Sequence, residues 1–307
     1  MLEGLQFFPV TPFTPAGTIN PEVFAEHVRT GLDDGAGGVF VACGTGEFHA
    51  LSLDEYVQLV HIAVEVTNGR VPVFAGTGGP LPMAQQFARA ALVAGADGLL
   101  LLPPYLVQAP PAGLVAYTEA VASATELPLI VYHRGAARFD VESAVAVARL
   151  PQVVGLKDGF GDLELLSRIV LGIRSALEGT GKPFLFFNGL PTAEATVPAY
   201  RGIGVELYSS AVFCFAPEIS MAFHQAVTKG DRAFAERLQQ EFFHPLVALR
   251  DRVPGYAVSL VKAGVRRRGL DVGGVRAPLV DPSPEHLEAL QRLTDNGLAI
   301  CAGKAAR

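Results

Sequence analysis

Short aliphatic and aromatic runs alternate along this chain with longer alanine-rich segments whose apolar positions recur at helical spacing. The runs predict strands near Gln6–Pro9, Gly38–Ala42, Val71–Ala75, Gly98–Leu102, Leu129–Tyr132, Val153–Lys157, Phe184–Asn188 and Val205–Ser209. Between them the periodicity predicts helices near Pro21–Asp34, Ser52–Thr67, Pro82–Ala94, Ala112–Thr125, Val141–Arg149, Leu163–Leu177, Thr192–Tyr200 and Pro217–Lys229. Strand and helix alternating in this way argue for parallel βα units. Local signals agree with the boundaries. Asn20 before Pro21 reads as an N-cap with proline at N1. Ser52 followed three residues on by Glu55 reads as a capping box, and Gly69 and Gly95 stand where C-caps belong. Gly35-Ala36-Gly37-Gly38 and Gly95-Ala96-Asp97-Gly98 repeat one αβ turn.

The predicted fold is an α/β (β/α)8 TIM barrel over residues 1–230. A C-terminal helical region, 231–307, is expected to pack on it through helices near Asp231–Asp251, Tyr256–Arg268 and Pro284–Asn296. No Ser/Gly linker separates the two. A doubly wound sheet is the competing arrangement, but it normally places a glycine fingerprint after its first strand. Here that loop reads Pro9-Val10-Thr11-Pro12-Phe13.

Composition narrows the function classes. The chain has 307 residues, 50% of them hydrophobic and 18% charged, with a net charge of -6. That size is near a typical barrel of about 250 residues plus an extension, and the mildly acidic balance offers no footprint for nucleic acid or an anionic membrane. The Arg266-Arg267-Arg268 cluster reads as a solvated or capping patch. The apolar stretch Leu99–Leu102 is stopped by Pro103-Pro104, far short of the ~20 residues that span a bilayer, and the N-terminus has no signal-peptide pattern. Cys43, Cys214 and Cys301 fit neither a disulfide framework nor a zinc set, so a reducing, cytoplasmic setting is expected. The histidines show no metal spacing. No metal or cofactor is expected.

In a barrel of this kind the active site gathers at the C-terminal strand ends. Strand six delivers Lys157 at the end of Val153-Val154-Gly155-Leu156. Lysine is a poor nucleophile at its ordinary pKa of about 10.4. Desolvation favours its neutral amine, and that amine can form an iminium with a ketone. The competing reading is a lysine that snorkels or pairs with Asp158. Tyr132 ends the neighbouring strand and can exchange a proton as a carbinolamine forms and collapses. Gly44-Thr45-Gly46 opens toward a helix, where backbone N–H groups suit a substrate carboxylate. Glu47 is assigned a structural place at the helix start. Arg134 and Arg138 compete to hold a second carboxylate. Neither glycine loop completes a dinucleotide fingerprint, since His49 and Leu81 stand where a third glycine belongs, and Gly181-Lys182-Pro183 is not a P-loop.

Taken in order, Pro9-Val10-Thr11-Pro12-Phe13, Gly44-Thr45-Gly46-Glu47, Ala75-Gly76-Thr77-Gly78, Tyr132 and Gly155-Leu156-Lys157 resemble the dihydrodipicolinate synthase/N-acetylneuraminate lyase superfamily over nearly the whole chain. The resemblance implies a barrel with a C-terminal helical region, usually a homotetramer. It implies Lys157 as the Schiff-base lysine, Tyr132 as the proton-transfer tyrosine and Thr45 in the carboxylate loop, with Gly44, Gly46 and Pro9 as further substrate-binding candidates. Two departures argue against a pyruvate–semialdehyde condensation: Gly44 replaces the first of two threonines, and Leu106 replaces the tyrosine of a cross-subunit proton relay.

Lys157-Asp158-Gly159-Phe160-Gly161-Asp162, Asn188-Gly189-Leu190-Pro191-Thr192-Ala193-Glu194 and Tyr208-Ser209-Ser210-Ala211-Val212-Phe213 are instead similar to the 5-dehydro-4-deoxyglucarate dehydratase branch. That branch implies a small-molecule keto-deoxy sugar diacid as substrate, with Arg134, Asn188, Gly189, Ser209 and Ser210 as candidates for its hydroxyls and far carboxylate. Asparagine is expected after the tyrosine in that branch, and this chain has His133.

Overall fold

The structure is a computed structural model, and it describes residues 2–305. Eight parallel strands close in chain order: β1 (Gln6–Phe7), β2 (Gly38–Val41), β3 (Val73–Thr77), β4 (Gly98–Leu101), β5 (Leu129–His133), β6 (Val153–Asp158), β7 (Leu185–Asn188) and β8 (Leu207–Ser210), with β8 pairing back onto β1. Around them run α1 (Pro21–Asp33), α2 (Leu53–Thr67), α3 (Leu81–Val93), α4 (Pro111–Ala122), α5 (Val141–Arg149), α6 (Leu163–Leu177), α7 (Val197–Gly202) and α8 (Pro217–Lys229). The chain continues into α9 (Arg232–Leu238), α10 (His244–Arg250), α11 (Tyr256–Arg267) and α12 (Pro284–Ala305). The architecture is the (β/α)8 barrel that the alternating pattern predicts.

Strand parity divides the apolar residues into two cores. Residues such as Val39, Val41, Leu99, Leu101 and Val131 face outward and pack against the helices. Phe8, Phe40, Phe74, Leu100, Ile130 and Phe187 face inward. Phe40 stacks on Phe8 at 4.5 Å and on Phe74 at 5.1 Å, so aromatic rings fill the barrel interior below the site. Strands buried on both faces explain why the sequence shows continuous apolar runs rather than alternation.

The caps are where the sequence puts them. The Asn20 side chain accepts from Val23 N at 3.3 Å, and Ser52 and Glu55 form the reciprocal capping box. Gly35 and Gly95 adopt φ of 95° and 89° at the two equivalent turns, a region costly for side chains with a Cβ.

Three helices differ from expectation, each for a physical reason. Thr192–Tyr200 is not one helix: a 3-10 turn over Ala193–Ala195 precedes α7. Pro198 has no N–H for the carbonyl of Glu194, and that carbonyl accepts instead from Gln239 Nε2 at 2.8 Å. Asp231–Asp251 is likewise interrupted by a wide π turn over Gln239–Phe243. Pro245 leaves the Glu241 carbonyl free, and Asn296 Nδ2 donates to it at 3.0 Å. The last helix runs past Asn296 to Ala305. Gly297 packs against α8 and the π turn, where an added Cβ would stand 2.8 Å from the Phe242 ring. It is a close-approach glycine rather than a cap.

The arginine cluster at the end of α11 is a set of ties between elements. Arg266 pairs with Asp281 at 2.8 Å, Arg268 pairs with Glu218 on α8, and Arg267 reaches Gln291 on α12 at 3.5 Å. The last helix packs on α8, α10 and α11. No helix among the described residues is long and apolar enough to cross a membrane.

Candidate active site

A cavity of about 350 Å³ opens at the C-terminal ends of the strands. Its floor is Phe8 and Leu100, and its walls include Tyr132, Lys157, Gly44, Thr45, Gly189 and Ser209. Arg134 and His49 reach it from the loops after β5 and β2, and Ala257 and Val258 close one side from α11.

Lys157 enters this cavity because of a local irregularity. The β5–β6 pairing starts with Leu129 opposite Val153, skips Val154, and resumes with Ile130 opposite Gly155 and Tyr132 opposite Lys157. Val153 and Leu156 both pack outward. With strict alternation from Val153, Lys157 would face outward as well; the extra residue turns it into the barrel. Its Nζ lies 3.9 Å from the centre of the Phe8 ring and 4.8 Å from that of Tyr132. Among the described residues no carboxylate lies within ion-pair distance of it.

Burial brings the Lys157 pKa down to about 7, and the nearby Arg134 charge pushes it the same way. A Cys43 thiolate would oppose this, but burial pushes that thiol up to about 12, so at neutral pH it carries no charge.

Asp158 does not partner Lys157. Successive strand residues point to opposite faces, and Asp158 is held outside the barrel by the Tyr200 hydroxyl and by the Phe160 and Gly161 amides at 3.3 and 3.0 Å. His133 also faces away from the cavity. Its Nδ1 accepts from Phe139 N at 3.0 Å, its Nε2 lies 3.8 Å from Asp158, and burial lowers its pKa to about 4. Its side chain is not among those that line the cavity.

Tyr132 is 5% exposed. Its hydroxyl donates to the Gly189 carbonyl at 2.6 Å and accepts from Arg134 Nη1 at 2.9 Å. Burial raises its pKa, while the Arg134 charge and hydrogen bond pull it down. Gly189 is glycine for a steric reason: a Cβ there would stand 2.5 Å from Lys157 Cε and 2.6 Å from Cγ.

The structure brings Lys157, Tyr132, Gly44, Thr45, Arg134, Gly189 and Ser209 together and leaves the other candidates outside. Pro9 and Gly46 support the glycine loop from behind: a Cβ on Gly46 would meet the Pro9 carbonyl at 3.2 Å, and Thr11 Oγ1 donates to the Gly46 carbonyl at 2.7 Å. Asn188 is occupied within its own loop, donating to Thr196 Oγ1 at 2.8 Å and to the Ala193 carbonyl at 3.2 Å. Ser210 faces outward to Glu194 and to Ser220, at 2.9 Å from the latter. Arg138 pairs with Asp162 at 3.1 Å over the Phe160 ring. This leaves Arg134 as the arginine at the cavity. His49, one of the histidines without metal spacing, lines the cavity because a 3-10 turn over Phe48–Ala50 precedes α2. Nothing in its local sequence marks it out.

Glu47 explains how the Thr45 loop is held. It is fully buried, in a left-handed conformation at φ 56°. It accepts from Lys262 Nζ on α11 at 2.7 Å and from Arg276 N at 2.8 Å. The C-terminal region therefore both lines the cavity and anchors the loop opposite Lys157.

An interior-facing lysine with no counter-ion among the described residues, next to a tyrosine at the mouth of a (β/α)8 barrel, places the protein in the class of barrels equipped for iminium chemistry. The chain belongs to the dihydrodipicolinate synthetase family, whose model matches residues 1–296. It is 54% identical over 297 residues to a Streptomyces avermitilis protein named as a probable 5-dehydro-4-deoxyglucarate dehydratase, covering 97% of this chain and 94% of that one. It is 55% identical over 303 residues to a Streptomyces griseus protein of the same name, covering 99% and 94%. A solved dihydrodipicolinate synthase from Oceanobacillus iheyensis superposes with a TM-score of 0.87 at 24% identity, over 96% of each chain, and so shares the fold.

Proposed function

We propose that the protein converts 5-dehydro-4-deoxy-D-glucarate to 2,5-dioxopentanoate, water and CO2, with Lys157 forming the Schiff base. The observation that carries this reading is the buried, unpaired Lys157 amine in a cavity beside Tyr132, in a chain more than half identical to relatives of that name. Lys157 attacks the ketone and the resulting iminium makes the neighbouring methylene acidic. Loss of that proton expels the hydroxyl β to the iminium carbon. The conjugated iminium then accepts the electron pair released as the far carboxylate leaves as CO2, and water frees the lysine. The proton loss and the decarboxylation both use the iminium as their electron sink. Gly44, Thr45 and their backbone hold the carboxylate beside the ketone, Tyr132 moves protons, and Ser209 and Arg134 face the hydroxyls and the far end of the diacid. The reading includes a homotetramer working in the cytoplasm.

The test is borohydride trapping with the diacid, peptide mapping and parallel measurement of CO2. An adduct on Lys157 together with CO2 and the semialdehyde is the expected result. Pyruvate released without CO2 would make the protein an aldolase or lyase on the same barrel. Ligand binding without turnover or adduct would make it a sugar-acid-binding barrel.

A further inference from the structure

The Arg134 guanidinium approaches the reacting oxygen of Tyr132 more closely than a distant substrate anchor needs to. Nη1 donates to Tyr132 Oη at 2.9 Å, and the guanidinium carbon lies 5.6 Å from the ring centre. The loop is shaped for this. Arg134 and Ala137 exchange backbone hydrogen bonds at 3.1 and 2.9 Å around Gly135, whose φ is 58°. Gly159 leaves room for the arginine stem: a Cβ there would stand 2.9 Å from Tyr132 Cε2 and 3.2 Å from Arg134 Cβ. Among the described residues Arg134 has no carboxylate partner, whereas Arg138 has one. The resting hydroxyl proton is directed at the Gly189 carbonyl, which cannot take it.

We infer that Arg134 is the positioning residue that lets Tyr132 carry negative charge during turnover, doing alone what a second relay tyrosine would otherwise do. This rests on the Schiff-base reading of Lys157. Tyr132 gives its proton to the carbinolamine oxygen, the C–O bond breaks, water leaves and the iminium forms. The negative charge stays on Oη, against Nη1 of Arg134. Oη then takes the proton of the methylene beside the iminium, which becomes an enamine, and the phenol is restored. An oxygen that accepts a charged donor is stabilised most when it is itself charged. Leu106 stands where a relay tyrosine would, and both it and the neighbouring Tyr105 are exposed and outside the cavity, so the strand-four loop of this chain brings no second phenol to that charge.

The experiment uses pyruvate, which forms the iminium but has no far carboxylate. In the parent, the rate of borohydride-trapped adduct on Lys157 is followed against pH. Arg134→Met is expected to slow adduct formation about 100-fold, in the range by which proton-transfer groups act, and to move the pH profile; Arg134→Lys is expected to recover part of both. A second readout needs no turnover. The chain has 7 tyrosines and no tryptophan, so phenolate absorbance is clean. The spectrum of the Tyr132→Phe variant, subtracted from that of the parent, isolates Tyr132. Its ionisation is expected to shift upward by about one pH unit or more in Arg134→Met, a tenfold change. Unchanged trapping with pyruvate and an unchanged Tyr132 titration, with only KM for the diacid raised, would overturn the inference and leave Arg134 as a carboxylate anchor. A parent that traps no keto acid on Lys157 would sink the Schiff-base reading instead, and the absorbance titration would still decide what Arg134 does to Tyr132.

Discussion

Two lysines are buried among the described residues, and both ammonium groups lie over a phenylalanine ring. Lys157 Nζ and Lys262 Nζ each lie 3.9 Å from the centre of a phenylalanine ring, Phe8 for one and Phe13 for the other. Lys157 is 4% exposed and Lys262 0%. The difference is a carboxylate. Lys262 has Glu47 at 2.7 Å, which opposes the effect of burial and holds its pKa at about 8. Lys157 has none among the described residues, and burial brings it to about 7. A buried cation with a counter-ion is a clamp, since separating the pair strands a charge in a low dielectric. A buried amine without one is a nucleophile in waiting. The clamp also serves the proposed nucleophile, because Glu47 belongs to the loop that carries Thr45.

Removing the proposed nucleophile should produce the largest effect. Lys157→Met is expected to lower turnover by at least ~10^4-fold, the scale seen when a covalent catalyst is deleted. Thermal stability should hold or rise, because a costly buried amine is gone. A variant that still forms a borohydride-trapped adduct would end the contrast between the two lysines.

The clamp should respond in the opposite way. Lys262→Met leaves Glu47 buried with the Arg276 amide as its remaining partner, and should cost about 3–5 kcal/mol of stability. Adding Glu47→Gln should recover most of that loss, and urea unfolding of the two variants measures it. If the single variant unfolds like the parent, Lys262 is not the clamp. The third substitution acts on Lys157 by crowding. Gly189→Ala should displace the lysine side chain and cost about 10^2-fold in kcat/KM, as a displacement of about 1 Å does. Unimpaired turnover would mean the lysine does not work from the position seen here.

The smallest effect is one of pH. Only the neutral amine attacks, so adduct formation should rise about tenfold per unit up to pH about 7 and then level. The stability sign follows from the same group. Its folded pKa is about 7 against an ordinary 10.5, so the unfolded chain binds more protons between those values. The contribution of Lys157 to stability therefore rises with pH across that window, and Lys157→Met should remove the rise. A flat adduct profile between pH 6 and 8 would contradict an amine freed by burial.

The eight strands and most helix ends were legible because each rests on local chemistry: apolar period, Asn20, Ser52, and the glycines after helices. Two of the three exceptions came from prolines inside helical patterns. Pro198 and Pro245 look tolerable in sequence because the pattern continues through them; only the tertiary partners, Gln239 and Asn296, show where the freed carbonyls go. For the site, Lys157 and Tyr132 were legible as strand ends that share one mouth. Asn188 and Ser210 were equally good candidates on that criterion, yet both turn outward to neighbouring loops and helices. Ala257, Val258 and His49 carry no sequence signal at all. They line the cavity through the placement of α11 and of a single 3-10 turn.

The sequence by itself determined the βα periodicity, the closed parallel barrel it builds, and a lysine at the end of strand six. These are properties of neighbours along the chain, set by side-chain period and by caps. The tertiary structure decided which way that lysine points and whether it is paired. One extra residue in β6 shifts the parity by a single position, and one carboxylate 215 positions away in the chain separates a clamp from a nucleophile. Parity along a strand reverses with every residue. A counter-ion lowers the energy of a buried charge wherever in the chain it comes from, so neither outcome is written in the residues next to Lys157.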